Sequence, residues 1–411
     1  MAQTTALLEE LEERGFVQDC TDLNELNTRM TNQRISAYVG FDCTGPSLHV
    51  GHLLSIMILR RLQAHGHKPI VLLGGGTTKV GDPSGKDETR KMLTDEDIAQ
   101  NMESLRGVFS QFLSFGDGPS DAIMVNNNDW LSQLSYIDFL RDFGRHFSVN
   151  RMLSFDSVKL RLEREQPLSF IEFNYMILQA YDFYELSERY GCALQLGGSD
   201  QWGNIVNGIE LTRRVSGKQV FGLTTPLITT ASGAKMGKTA SGAVWLNKDM
   251  LSDFDYWQFW RNTDDRDVTR FMKLFTDMTP SDISEVERLD INQQKERLAE
   301  EATTLARGID AAKFAQKAAA GAFQGGDLQA LPTVELDFEE NNEMGILHVV
   351  VRAGLAETNS EVRRLIKGGG VKCDGITITD EKMMISLQTL KEKPIHLALG
   401  KKKHVLLKAK I

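Results

Sequence analysis

The sequence predicts an α/β chain: a doubly wound parallel sheet, then an all-α domain and a small α+β unit. Three observations predict it. Four short β-rich apolar runs alternate with longer amphipathic stretches through the first half of the chain, the pattern of parallel strands joined by helices. Strings rich in Gly and Asp follow those runs directly, where ligands of such sheets sit. From about Trp245 to Phe323 the pattern is helical throughout, and a basic, β-containing segment closes the chain.

In chain order, ISAYVGF (35–41), PIVLLGG (69–75), AIMVNN (122–127) and CALQLGG (192–198) read as strands. GFDCTGP, GGGTTKVGDPSGK and GGSDQWGN each come directly after one of them. LLSIMILRRLQAHG sets Leu54, Met57, Ile58, Arg61 and Leu62 along one stripe, the spacing of a helix. QGGDLQALPTVELDFEENN (324–342) has Gly, Pro, acids and no period, and reads as a linker. The expected boundaries are a first domain over 1–230, a loop over 231–244, a helical domain over 245–323, the linker, and a terminal unit over 345–411.

At 411 residues the chain is too long for one ordinary core. A hydrophobic content of 41% with 25% charged residues is that of a globular protein in water. No apolar run approaches the length of a membrane span, and the acidic start MAQTTALLEELEERG lacks the pattern of a signal peptide. Cys20, Cys43, Cys192 and Cys373 show no C-x-x-C spacing, so a reduced, cytoplasmic chain is expected. The net charge of −9 hides an asymmetry: residues 345–411 hold 13 Lys and Arg against 6 Asp and Glu, net +7, which leaves −16 for residues 1–344. A basic end on an acidic body suits a partner that carries phosphates.

Two strings bear chemistry. In SLHVGHLL, His49 and His52 fall three apart in the first turn of a helix, on one face. That end has unpaired N–H groups and suits an anion; metal binding and a solvated histidine pair are the competing readings. In SGAKMGKTASG, Lys235 and Lys238 are flanked by small residues. Such a loop closes over a polyphosphate and neutralises its charge, or is a plain surface loop. GGGTTKVGDPSGK fits neither familiar phosphate loop. A dinucleotide fingerprint from Gly74 would need glycine where Lys79 stands, and a P-loop would need it at Val80 and Ser or Thr at Asp87. What remains is a loop with Asp82, Lys86 and Arg90 at steps of four.

SLHVGHLL followed by KMGKT resembles the paired ATP-binding signatures of class I aminoacyl-tRNA synthetases. YVGFDCTGPSLHVGH, GDPSGK, FNYMILQAYDF, LQLGGSDQWGN and KMGKT together are similar to the bacterial tyrosyl-tRNA synthetase family, over essentially the whole chain. NSEVRRLIKGGGVKCDG (359–375) resembles the S4 RNA-binding domain. Departures are small: Cys43 for a frequent proline, Val50 for isoleucine, and Gly237-Lys238-Thr239 for Ser-Lys-Ser.

The resemblance implies that the first domain binds a nucleotide, that L-tyrosine is activated with ATP, and that the tyrosyl group passes to tRNA(Tyr). Mg²⁺ would be held mainly by ATP, with no metal site in the protein. Thr44, His49, His52, Lys86, Arg90, Lys235, Lys238 and Thr239 would serve the phosphates. Gly40, Asp42, Gly51, Gly198 and Asp200 would complete the ATP site, Gly51 leaving room for adenine. Tyr38 and Asp182 would meet the phenol, and Asn127 would also bind tyrosine. Asp82, Tyr175 and Gln179 would hold the ammonium group, and Gln201 the carboxylate side. Arg363, Arg364 and Lys367 would contact RNA. Residues 130–165 correspond to a dimer-forming insertion, so a homodimer is expected, without a membrane partner. Tryptophanyl-tRNA synthetase, a small-molecule adenylyltransferase and a non-catalytic RNA-binding relative are the alternatives.

Overall fold

The computed structural model describes residues 5–82, 93–233, 236–239, 242–324, 331, 333–338, 342–400 and 403–410. Lys86, Arg90 and Lys235 lie outside the described residues, as do the side chains of Lys238 and Thr239. The first sheet is built from β1 (Asp19–Cys20), β2 (Ser36–Phe41), β3 (Lys68–Leu73), β4 (Ile123–Asn126), β5 (Cys192–Gly198) and β6 (Phe221–Thr225). They lie in the order β1-β6-β5-β2-β3-β4. β2 to β6 pair in parallel, and β1 adds an antiparallel edge on β6. Helices cover the sheet, which is why β3, β5 and β6 read as nearly unbroken buried runs. The sequence reading covers β2 to β5. It misses β1, which has two residues, and β6, whose FGLTT carries little apolar signal.

From β2 the sheet grows one way through β3 and β4, and the other way through β5 and β6. The strand order therefore reverses between β2 and β5, and their carboxyl ends at Phe41 and Gly198 flank the crevice where ligands of doubly wound sheets sit. Helix Val50–Ala64 follows β2. Helix Phe170–Tyr190 precedes β5; Ser169 and Glu172 cap its start reciprocally, and Gly191 ends it at φ 62°. It packs along helix Trp202–Ser216 through Gly208, where an added Cβ would stand 3.0 Å from Phe183 Cδ1. Between β4 and Phe170 the chain runs through short helices, and their apolar residues are not all covered: Tyr136 is 59% exposed, Ile137 69%, Val149 59% and Phe170 70%.

The chain divides into one unit of Met1–Met250 with Asp264–Glu285, and another of Leu251–Thr263 with Val286–Ile411. Residues 264–285, expected with the helical domain, pack in the first unit: helix Val268–Phe275 buries Val268, Phe271, Met272, Leu274 and Phe275, and two arginines fasten the run. Arg61 donates to Thr276 O at 2.5 Å and to Asp277 Oδ1 at 2.7 Å. Arg14 donates to the carbonyls of Lys273 and Met278 at 2.9 and 2.8 Å.

In the second unit, helices Asp253–Arg261, Ile291–Arg307 and Ile309–Gln324 pack together. Arg307 ties two of them, donating to Leu251 O and Asp253 Oδ1, both at 2.9 Å. The stretch expected as a linker contains a strand, Thr333–Leu336, which pairs in parallel with strand Lys403–Ala409 and buries Leu336. Two apolar residues among acids and a proline are too few to show that period. Helix Asn359–Lys367 buries Val362 and Ile366 and exposes Arg363, Arg364 and Lys367. Among the described residues no helix is long and apolar enough to cross a membrane.

Candidate active site

A cavity of about 500 Å³ opens at the carboxyl ends of β2 and β5. Gly40, Asp42 and Thr44 reach it from the end of β2, and His49, Gly51 and His52 from the start of helix Val50–Ala64. Gly198, Asp200 and Gln201 come from the end of β5; Tyr175, Gln179 and Asp182 come from one face of helix Phe170–Tyr190. Tyr38, Asp82 and Asn127 complete the set.

The histidines are fixed by the helix end itself. Gly51 N–H donates to His49 Nδ1 at 3.0 Å, and His49 N–H donates to His52 Nδ1 at 3.3 Å. Both Nδ1 atoms are acceptors, so each neutral ring carries its hydrogen on Nε2. Such a ring offers a donor from Nε2, and among the described residues no group of three or more His, Cys, Asp or Glu side chains stands together as a metal site. The basic loop meets the same helix end. An added Cβ at Gly51 would stand 2.6 Å from His49 Cε1 and 2.9 Å from the Met236 carbonyl oxygen; at Gly237, whose φ is +90°, it would stand 2.7 Å from Gly51 N. Val50 N–H donates to Val244 O at 2.9 Å, and Leu246 N–H to Leu48 O at 2.8 Å. Two strings far apart in sequence thus form one site. Gly51, expected to face adenine, remains exposed, with the Met236 carbonyl oxygen close on one side of it.

At the other end sits Asp182, 2% exposed. Trp130 Nε1 donates to its Oδ1 at 2.7 Å and Asn127 Nδ2 to its Oδ2 at 2.9 Å. Burial nevertheless pushes its carboxyl up to about 7, those two donors pulling against it. Tyr38 lies near enough to feel that charge, and burial first, then Asp182, hold its phenol well above the usual range. Tyr38 Oη is buried without a hydrogen-bond partner, as are Gln179 Oε1 and Gln195 Oε1, and all three residues line the cavity. Orphaned buried polar atoms are costly unless a ligand satisfies them.

Between the two ends runs a polar chain. Gln179 Nε2 donates to Gln201 Oε1 at 3.3 Å, and Gln201 Nε2 to Asp82 Oδ2 at 3.1 Å. Tyr175, expected beside Asp82, donates to Asp42 Oδ2 at 3.2 Å, while Thr77 donates to Asp42 Oδ1 at 2.8 Å. Asp42, expected at the nucleotide, therefore also ties to the helix that carries Asp182. The sequence reading missed Trp130, Thr77 and Gln195. Trp130 carries no local mark distinguishing it from a core tryptophan. Gln195 does: it is a polar residue inside the apolar run CALQLGG. Arg363, Arg364 and Lys367 belong to the other unit and form no part of this cavity.

Comparisons with known proteins give the family of the chain. Residues 30–324 match the family of tRNA synthetases class I (W and Y), and residues 344–389 match the S4 domain. A tyrosine--tRNA ligase of Novosphingobium aromaticivorans is 57% identical over 408 residues, 98% of each chain. One from Rhodospirillum rubrum is 56% identical over 412 residues, 99% of each chain. Among solved structures, a C-terminally truncated mitochondrial tyrosyl-tRNA synthetase of Aspergillus nidulans superposes with a TM-score of 0.70 at 32% identity, over 77% of this chain and 94% of that one. The chain belongs to the class I tRNA synthetases of the tryptophan and tyrosine group and carries an S4 domain behind the catalytic fold.

Proposed function

We infer that this chain is a tyrosine--tRNA ligase, which joins L-tyrosine to ATP as tyrosyl-adenylate with release of pyrophosphate and then charges tRNA(Tyr). One observation carries the reading: a buried carboxylate, Asp182, and an orphaned hydroxyl, Tyr38 Oη, end a cavity whose mouth is formed by both signature strings. Relatives of nearly equal length and more than half identical bear the same name, which favours tyrosine over tryptophan.

The amino acid's carboxylate attacks the α-phosphorus. It is ionised at neutral pH, so no general base is needed. The protein's part is placement and charge stabilisation. His49 and His52 donate through Nε2 to the phosphates, with Thr44 beside them. Lys86, Arg90, Lys235, Lys238 and Thr239 neutralise pyrophosphate as it leaves, and Mg²⁺ arrives on the ATP phosphates, the oxygens it prefers. Asp82, Tyr175 and the unpartnered Gln179 Oε1 receive the ammonium group; Gln201 and Asp200 serve the carboxylate and the ribose. Tyrosine's hydroxyl donates to Asp182 and meets Tyr38. A ribose hydroxyl of the tRNA's terminal adenosine then attacks the tyrosyl carbonyl of the adenylate, taking the tyrosyl group as AMP leaves.

Arg363, Arg364 and Lys367, on the exposed face of a helix that buries Val362 and Ile366, bind RNA phosphates. The uncovered apolar residues Tyr136, Ile137, Val149 and Phe170 meet a second copy in a homodimer. The enzyme works in the cytoplasm, where tRNA is charged.

The test is ATP–pyrophosphate exchange with each proteinogenic amino acid in turn. Tyrosine should support it and phenylalanine and tryptophan should not. Exchange with tryptophan in preference to tyrosine, or with none of the amino acids, overturns the reading. Replacing Arg363, Arg364 and Lys367 together by Ala should leave exchange intact while charging of tRNA falls and loses part of its salt dependence.

A further inference from the structure

The loop that brings Met236 and Gly237 against Gly51 begins at Ile228–Ala231, and two grips on that root come from one place. Asp267, 3% exposed, accepts from Ala231 N–H on Oδ2 at 2.7 Å. Its Oδ1 accepts from Arg270 Nη2 at 2.6 Å, and the same nitrogen donates to Thr229 O at 2.5 Å. Thr229 and Met236 both line the cavity. A carboxylate buried this deeply persists only with donors on it, and one of its two donors here is the loop's own backbone.

The stretch that carries Asp267 is fastened at its other end to the histidine helix. Asp277 accepts from Arg61 Nη2 at 2.7 Å and from Arg60 Nε at 3.0 Å. Arg60 and Arg61 lie on helix Val50–Ala64, whose first turn holds His49 and His52. One short run of chain, 267–277, thus spans from the root of the basic loop to the helix that caps the phosphate site.

We propose that Asp267 is a positioning residue for adenylate formation: acting through Ala231 and Thr229, it sets where the loop backbone at Met236 and Gly237 stands relative to His49 and His52. It touches no reacting atom. The proposal rests on the reading of tyrosine activation given above. Because the loop's charge matters as pyrophosphate separates, loss of the grip lowers the rate of the chemical step and leaves tyrosine binding alone.

The experiment uses the full-length protein and Asp267→Asn, which keeps the size of the side chain. An amide has one acceptor oxygen and so satisfies only one of the two donors. The kcat of tyrosine-dependent ATP–pyrophosphate exchange should fall about ten- to a hundredfold, the effect of one charge-assisted hydrogen bond. Tyrosine Kd should stay within about twofold of wild type, as expected of a site that Asp267 does not touch. Combined with Lys238→Ala, Asp267→Asn should add little, since both act through one loop. If Asp267→Asn does not fold, Arg270→Gln takes its place and must show the same non-additivity. An unchanged kcat, a parallel loss of tyrosine affinity, or effects that multiply with Lys238→Ala overturns the proposal. A wild type without tyrosine-dependent exchange defeats the functional reading itself, whereas normal wild type and Lys238→Ala behaviour with a silent Asp267→Asn defeats only this proposal.

Discussion

The two ends of the cavity are built by different means. At the phenol end, Asp182 is buried in side-chain packing and its two donors, Asn127 and Trp130, are already in place. At the nucleotide end, the groups that matter are a helix cap and a loop backbone close beside an exposed glycine, Gly51. The first is a preset acceptor inside the core, which suits discrimination between amino acids that differ by one hydroxyl. The second is a junction of helix end and loop, which suits charge that must be met at one moment of the reaction. Selectivity and rate should therefore respond to different substitutions.

The largest effect is expected at the nucleotide end. Lys238→Ala should slow adenylate formation by about 2.7–4 kcal/mol, by analogy with the loss of one oxyanion-hole donor, with tyrosine affinity unchanged in equilibrium binding. An equal loss of tyrosine affinity would erase the distinction between the ends. Next comes Trp130→Phe, which keeps an aromatic side chain, smaller than the indole, and removes the donor at 2.7 Å from Asp182 Oδ1. Hydrogen bonds to charged groups contribute roughly 1.5–3 kcal/mol, so kcat/KM for tyrosine should fall by that amount while KM for ATP holds. A rise in KM for ATP of the same size would show that the two ends are not separable. The smallest effect is at Tyr38→Phe, about 0.5–1.5 kcal/mol of tyrosine recognition for one neutral hydrogen bond, read as kcat/KM for tyrosine against phenylalanine.

The same contrast explains what could be read in the sequence. Helix caps and phosphate loops are local: His49, His52 and the lysines of the KMGKT string stand in short runs that suit phosphate, and the family resemblance set that reading above a solvated pair or a plain loop. Four of the five parallel strands, β2 to β5, were legible for a similar reason, since burial on both faces writes a largely apolar run, while the buried threonines of β6 hid it. The phenol end is not local. Asp182, Asn127, Trp130 and Gln195 come from separate segments, and only Asp182, Asn127 and Tyr38 could be named in advance, through family resemblance. Trp130 is indistinguishable in sequence from any core tryptophan until its indole N–H is seen on the carboxylate. The strand Thr333–Leu336 escaped notice because its period is shorter than the Pro and acid signals around it, and residues 264–285 because no pattern announces which unit a helix packs against.

Recognition of tyrosine is proposed to run through the carboxylate of Asp182, and the pH dependence of the tyrosine-to-phenylalanine ratio tests it. That carboxyl is raised from 3.8 to about 7. The folded protein thus binds its proton more readily than the unfolded chain, so Asp182 subtracts stability progressively as pH rises from about 4 to about 7. For binding, the ionised form is the better acceptor for a phenol O–H, and phenylalanine would cover that charge without a donor. The ratio of kcat/KM for tyrosine over phenylalanine should therefore rise about tenfold between pH 6 and pH 8, following ionisation of a group near 7, and the rise should vanish in Asp182→Asn. A ratio that is flat across that range in the wild type, or an Asp182→Asn variant that weakens both amino acids equally, would contradict the account and place the phenol pocket elsewhere.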